Sequence, residues 1–339
     1  MQLIKINKIF DASIKISNLV KKTKYQKTDF FSNLYQSNIF LKREDNQLVK
    51  SFKIRGAYNK ILSLNEFELK KGLVCASAGN HAQGFALACS HMMCKGTVYM
   101  PKTTPKLKVE RVSYFGKNFI DINLYGKNFA DAHYQAELYC KKYDKKFIHP
   151  YNDLKIIEGQ ATLFLEIINQ IDFKIDYLIV PIGGGGLLSG AINVFKQLSK
   201  STIIVGVQVK GAPAMKNSLE SGKLVKLDKV DNFVDGAVVK QVGNITYSFC
   251  KSYLDDIVVV DEDEICYNMT LLSKYDKINA EPAGAMSIAA LRTMNKKIKN
   301  KNIMCLICGG NNDPSRLTEI LKKSKNWISK MKNNYINPN

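Results

Sequence analysis

From Leu73 onward, short apolar runs alternate with stretches whose apolar residues recur every three or four positions. Leu73–Ala76 and Gly96–Met100 read as strands, with helical spacing between them from His81 to Met92. Pro105 is placed to open a helix at its first turn, running to Phe115. Phe119–Ile122 is a further short strand. Phe129, Ala132, Ala136, Tyr139, Cys140 and Tyr143 then line one face of an amphipathic helix. The second half repeats the pattern, with strands at Tyr177–Val180, Ile203–Val207, Ile257–Val260 and Ile303–Ile307 and helices at Leu187–Leu198, Glu262–Lys274 and Ala283–Met294. This alternation predicts an α/β fold of parallel-type sheets flanked by helices and joined by right-handed crossovers. The basic, Asn-rich end from Lys322 to Asn339 carries the only tryptophan, Trp327, and is expected to be a frayed helix or tail.

One uncharged run, Tyr177–Phe195, has about the length of a membrane span. Pro181, Gly183 to Gly186 and Gly190 divide it into strand, loop and helix. No long apolar leader precedes Asp11. A soluble, cytoplasmic chain without membrane attachment is expected. Its 339 residues suffice for two domains. The unusual quantity is charge: 50 Lys+Arg against 30 Asp+Glu, a net +20. Such an excess invites a nucleic-acid partner. Only five of the basic residues are arginines (Arg43, Arg55, Arg111, Arg292 and Arg316), and base edges are read mainly by guanidinium forks. The excess therefore reads as a solvated lysine surface, and no nucleic-acid partner is expected. Eight scattered cysteines, most of them in apolar runs, read as buried reduced thiols. Cys305 and Cys308 form an isolated pair at a strand end, so no metal site is expected there.

Four segments carry candidate chemistry. In Pro181-Ile-Gly183-Gly184-Gly185-Gly186-Leu187-Leu188-Ser189-Gly190, glycines between a strand and a helix let backbone N–H groups converge on an anion. No Gly-Lys-Ser/Thr follows, and the next strand runs into Gln208 and Lys210 without an acidic residue for a ribose. A nucleotide loop is thus disfavoured. A plain tight turn is the bland alternative, but four consecutive glycines are costly for turning alone. Ser51-Phe52-Lys53-Ile54-Arg55-Gly56-Ala57 contains a candidate amine nucleophile that, in isolation, is one surface lysine among many. Ser77-Ala78-Gly79-Asn80-His81 opens a helix and can bind a carboxylate or serve as a simple cap. Cys308-Gly309-Gly310-Asn311-Asn312 ends a strand where open α/β sheets bind ligands.

Jointly and in this order, the four segments resemble the fold-type II pyridoxal phosphate enzymes, within them the serine/threonine dehydratases. The pattern is most like the catalytic domain of the biosynthetic threonine dehydratases. The resemblance spans roughly residues 14–317 and extends to Asp235–Lys240, Tyr253–Val260 and Ala280–Ala285. It implies pyridoxal 5'-phosphate bound covalently by Lys53, with Phe52 beside the pyridine ring and Asn80 on its 3'-oxygen. Gly183, Gly184, Gly185, Gly186 and Leu187 are implied to hold the phosphate, and Cys308 to face the ring nitrogen. The loop Ser77, Ala78, Gly79 and His81 is implied to hold the substrate carboxylate. A neutral thiol at the ring nitrogen favours elimination, so the implied reaction converts L-threonine to 2-oxobutanoate and ammonia, the first step of isoleucine biosynthesis. A degradative dehydratase acting on L-threonine or L-serine is the alternative. A non-catalytic carrier of the cofactor and a nucleic-acid binder are remoter ones.

Three departures qualify the match. Ala78 stands where racemases of the family carry a second serine, which argues against racemisation. Gln208 to Met215 contains no acidic residue, so the racemases' divalent-metal site is not expected. Ala161 replaces a frequent glycine, a change expected to alter packing modestly. The implied architecture has a large domain of residues 1–71 and 149–339 and a small inserted domain of 72–148 that closes over substrate. A homo-oligomer is also implied. The chain ends at Asn339, so no regulatory domain, and no isoleucine feedback through one, is expected.

Overall fold

The computed structural model describes residues 1–336. Ten strands form two sheets: β1 Tyr25–Lys27, β2 Asn38–Arg43, β3 Leu73–Ala76, β4 Gly96–Met100, β5 Ile120–Leu124, β6 Lys146–Phe147, β7 Tyr177–Pro181, β8 Ile203–Val209, β9 Asp256–Val260 and β10 Asn302–Ile307. The larger sheet has the order β1-β2-β10-β7-β8-β9 and the smaller β5-β4-β3-β6. Only the edge pair β1–β2 is antiparallel; β2–β10 and every other pairing run parallel. The central strands β7, β8 and β10 are almost wholly buried, as expected of Val- and Ile-rich parallel strands covered by helices on both faces. All seven strands expected from the sequence form, with ends shifted by one or two residues. β1 and β6 have little or no apolar pattern of their own and draw their strand state from their neighbours, whereas β2, built on Ile39–Leu41, lies before the stretch where the alternation was read.

The helix Leu154–Gln170 was not foreseen. It is buried almost continuously from Ile156 to Leu165, which erases the amphipathic period. It lies between the helix Lys53–Leu62 and the helix Gly186–Leu198, and glycine marks both crossings. A Cβ on Gly159 would sit 2.5 Å from the Arg55 carbonyl oxygen, and one on Gly56 2.8 Å from that of Ile156. On the other side, a Cβ on Gly190 would sit 2.9 Å from the amide nitrogen of Ala161. The backbones therefore touch directly, and the extra methyl of Ala161 is accommodated in the core, fully buried.

Apolar packing divides mainly into two clusters. The larger surrounds the six-stranded sheet. The second joins Leu73, Cys75, Phe85 and Val98 to Ile16, Val49, Ile54, Tyr58 and Ile61, so the helix Lys53–Leu62 packs on the four-stranded side. The basic end takes the helical of the two expected forms: Leu317–Ile336 is one helix. Ile320, Ser324 and Trp327, spaced by four and three, are buried, and the Arg292 guanidinium lies 4.7 Å from the Trp327 ring. Residues 337–339 of the expected tail lie outside the described residues. Among the described residues no helix is long and apolar enough to cross a membrane.

Candidate active site

Lys53 begins its helix at the C-terminal end of β10, because the preceding residues are stitched there. Ser51 bridges Gly309, the Phe52 N–H donates to the Cys308 carbonyl at 3.2 Å, and the Gly310 N–H donates to the Lys50 carbonyl at 2.8 Å. One turn in, Arg55 is completely buried and donates to Glu44 (Nε–Oε2 2.7 Å) and Glu166 (Nη1–Oε1 2.8 Å). Lys42 completes this buried set of two cations and two carboxylates at 2.9 Å from Glu166. Every charge has an opposite partner, which meets the condition for tolerating ions in a core.

The Lys53 amine has one hydrogen-bond partner among the described residues, the Pro150 carbonyl oxygen at 3.0 Å. Burial lowers its pKa to about 8, and the nearby Cys308 and Glu281 offset this only in part. Near neutral pH a fraction of the amine is therefore already unprotonated. Phe52, itself buried, places its ring centroid 5.2 Å from the amine.

Two helix N-termini face this amine's surroundings. In the glycine loop, the N–H groups of Gly183, Gly184, Gly185, Gly186 and Leu187 have no acceptor among the described residues. Thr246 holds the loop by donating from Oγ1 to the Gly184 carbonyl at 2.7 Å. A Cβ on Gly184 would land 2.4 Å from the Tyr151 ring, so the ring packs directly on the loop backbone. Gly185 caps the helix at φ +96°, a conformation only glycine adopts cheaply. Gly185→Ala would also bring a Cβ to 2.8 Å from that of Thr246. It is expected to destabilise the chain by about 2 kcal/mol and to weaken anion binding at the loop. Thermal denaturation with and without pyridoxal phosphate checks both effects.

The second N-terminus is that of the helix Asn80–His91. Ser77 Oγ accepts from the Gly79 N–H at 3.2 Å, and the N–H groups of Asn80, His81 and Ala82 have no acceptor among the described residues. Ala78 is half-buried against the second apolar cluster. The His81 imidazole is buried and its Nε2 lies 3.0 Å from the Ile148 carbonyl oxygen. Burial and the charge of Lys53 lower its pKa to about 3, so the ring is neutral and already engaged. His81 contributes its backbone N–H to the loop rather than its side chain.

Cys308 closes the site at the end of β10. Its Sγ lies 3.3 Å from the Ala283 carbonyl oxygen, to which it donates, and burial raises the thiol well above its ordinary pKa. Three further residues have no assigned role in the sequence reading. Glu281 is buried between Gly236 and Gly309, accepts from Asn80 Nδ2 at 2.6 Å and from the Asn311 N–H at 3.0 Å, and has its pKa pushed up to about 7 by burial and by Asp235. In the sequence it lies within the matching segment Ala280–Ala285 and carries no role of its own. Asn311, inside the segment Cys308–Asn312, and Tyr151, in a stretch that carried no motif, are the others.

These parts fit pyridoxal phosphate: unpaired amides for its phosphate, a buried amine for its aldehyde, an amide side chain and a protonated thiol for its ring. The comparisons agree. The model of a family described as "Pyridoxal-phosphate dependent enzyme" matches residues 16–309. The chain is 47% identical over 324 residues to L-threonine dehydratase biosynthetic IlvA of Halalkalibacterium halodurans, covering 96% of this chain and 78% of that protein. Among solved structures it is similar to the processed form of threonine deaminase isoform 2 from Solanum lycopersicum, with a TM-score of 0.89, 36% identity and coverage of 95% of this chain and 97% of that one. Maize serine racemase superposes with a TM-score of 0.88 at 29% identity, covering 97% of this chain and 100% of that one. Matched over most of its length by that family's model, the chain belongs to the pyridoxal-phosphate dependent enzymes.

Proposed function

We propose that the chain is a lyase that eliminates water from L-threonine and, once water has added back and ammonia has left, gives 2-oxobutanoate, in amino-acid biosynthesis. The observation that carries this reading is the similarity to a biosynthetic L-threonine dehydratase over 96% of this chain. The local chemistry supports it. When bound, pyridoxal phosphate supplies an electron-withdrawing ring that acidifies the amino acid's Cα–H. Lys53 would hold the cofactor covalently through its aldehyde. The amides of Gly183 to Leu187 would hold its phosphate, Phe52 would lie against its ring and Asn80 would donate to its 3'-oxygen. Ser77 and the N–H groups of Asn80, His81 and Ala82 would orient the substrate carboxylate. Lys53 would also be the general base for the Cα proton, and its lowered pKa suits that task. The β-hydroxyl would take up a proton and leave as water, and water adding to the released enamine would give 2-oxobutanoate and ammonia.

Ala78 supports elimination over racemisation because a methyl group cannot exchange a proton on the opposite face. Cys308 supports it too: its proton is engaged by the Ala283 carbonyl, so no anion stands there to keep a ring nitrogen protonated. Cys308→Asp is expected to lower threonine turnover at least tenfold, roughly the loss that follows when an acid–base balance is displaced. Steady-state kinetics check this, and an unchanged kcat sinks the electronic argument.

The same reading includes a small domain of residues 72–148, holding the four-stranded sheet, that closes on the remainder over substrate. The purified chain, supplied with pyridoxal phosphate, should form 2-oxobutanoate from L-threonine faster than pyruvate from L-serine. Formation of neither product overturns the proposal, and a preference for serine replaces it with a degradative role.

A further inference from the structure

Arg111 lies outside every motif considered so far, on the helix Lys106–Gly116, which packs on the helix Asn80–His91 beside the four-stranded sheet. Its Nη1 donates to Asn311 Oδ1. Asn311 Nδ2 donates to the Val49 carbonyl oxygen at 2.8 Å and to Asn80 Oδ1 at 2.7 Å. Asn80 Nδ2 in turn donates to Glu281 Oε1 at 2.6 Å. A terminal amide can present either end to a partner, so its orientation must be dictated by neighbours that cannot switch. A guanidinium only donates and a backbone carbonyl only accepts. Arg111 and Val49 therefore agree that Asn311 turns its oxygen to Arg111 and its nitrogen inward. With that nitrogen facing it, Asn80 must turn its oxygen toward Asn311. Its nitrogen is left for the site, with one N–H on Glu281 and a second N–H without an acceptor among the described residues.

We propose that Arg111 is a positioning residue that, through Asn311, fixes Asn80 as a hydrogen-bond donor to the cofactor's ring oxygen. The inference rests on the role given to Asn80 above. It makes a residue on the helix Lys106–Gly116 responsible for the direction of hydrogen bonding inside the site. Lys108, one turn earlier on that helix, pairs with Asp235 and holds the helix in place without touching the amide chain.

The test compares Arg111→Lys, Arg111→Glu and Lys108→Met by titration with pyridoxal phosphate, followed by absorbance. Arg111→Glu introduces an acceptor, which draws the Asn311 nitrogen outward and reverses both amides. Its cofactor affinity is expected to fall roughly tenfold or more, as when a polar contact to a charged oxygen is replaced by an opposed one. Reversal also sets the Asn80 oxygen against Glu281, which already feels Asp235, Lys108, Lys53 and Cys308. The apparent pKa of the bound cofactor's absorbance band should move in Arg111→Glu and stay in place in Arg111→Lys. Lys108→Met removes a clamp without reversing an amide. It should lower affinity less than Arg111→Glu and leave the dependence of the band on pH closer to that of the wild type. Asn311→Asp, which cannot donate inward, should reproduce Arg111→Glu and serves if the latter folds poorly. Affinity and band in both acidic variants within about twofold of wild type overturn the inference, since a reversed hydrogen bond costs more than that. Equal losses in Arg111→Glu and Arg111→Lys overturn it too, because they point to shape rather than donor character. A wild-type chain that takes up no pyridoxal phosphate overturns the underlying reading of the site instead.

Discussion

Lys53→Ala is expected to abolish the near-visible absorbance of covalently held cofactor and to cut threonine turnover by at least about 10³-fold, the combined loss of a covalent anchor and a general base. The amine is the feature of the site with no structural duty. Its sole hydrogen bond is to the Pro150 carbonyl, and no carboxylate pairs with it among the described residues. Truncation should therefore not unfold the chain, and without cofactor it should stabilise it. In the folded chain burial holds the pKa near 8, below the ordinary 10.5. Between these values the folded state binds fewer protons than the unfolded one, so this group's contribution to stability rises with pH across that window. Below pH 8 it is a constant penalty. The stability advantage of Lys53→Ala should accordingly be full at pH 7 and shrink as the pH passes from about 8 toward 10.5. Denaturant unfolding at pH 7 and 9.5, beside an absorbance spectrum and a 2-oxobutanoate assay, measures all three expectations. Turnover within tenfold of wild type would remove Lys53 from its assigned role.

Arg55→Met should be the most damaging substitution for folding. It leaves the Glu44 and Glu166 carboxylates buried with only Lys42 between them, and breaking such a set costs about 3–5 kcal/mol. A fall of Tm of about 4–7 °C follows for a chain of this size. Burial alone pushes the Glu44 carboxyl up, but the charge and hydrogen bonds of Arg55 outweigh it and hold Glu44 below the usual carboxylate range. A lowered folded pKa contributes stability that is present above the unfolded value of about 4.5 and is lost as the pH falls through the folded value. The wild type should thus have an acid limb to its stability that Arg55→Met lacks. Because Arg55 follows Lys53 by only two residues, cofactor retention should fall together with Tm. The double change Arg55→Met with Glu44→Leu leaves Lys42 and Glu166 paired and should recover part of the loss. Calorimetry on the three variants decides; a wild-type Tm for Arg55→Met alone would make the cluster irrelevant to folding.

Both positions sit in a seven-residue stretch that was legible for different reasons. The strand–helix alternation after Leu73 is written in periodicity, so the sheets could be read directly. Lys53 has no periodicity to announce it and stood out only through the company of Phe52, Arg55 and Gly56. The glycine loop was readable because unpaired amides at a helix start need residues without side chains. What the chain concealed was set by tertiary contacts. Glu281 is one acidic residue among 30 until its burial beside Asn80 is known. Nothing in the sequence ties the imidazole of His81 to the Ile148 carbonyl. The helix Leu154–Gln170 hides because polar residues such as Glu158, Gln160 and Thr162 are buried along with its apolar ones, and the helix around Trp327 because its buried face is interrupted by lysines.

Where backbones meet at Gly56, Gly159 and Gly190, the separation between the amine and the glycine loop is set by peptide planes, not by side chains. The chain's solvated surface has absorbed many lysines, and a position there can be exchanged with little effect. At those three glycines any codon change that adds a carbon spreads a helix pair and alters the gap between two binding groups at once. Mutational drift can thus rewrite the exterior freely, while the dimensions of the site are inherited through the smallest side chain the code offers.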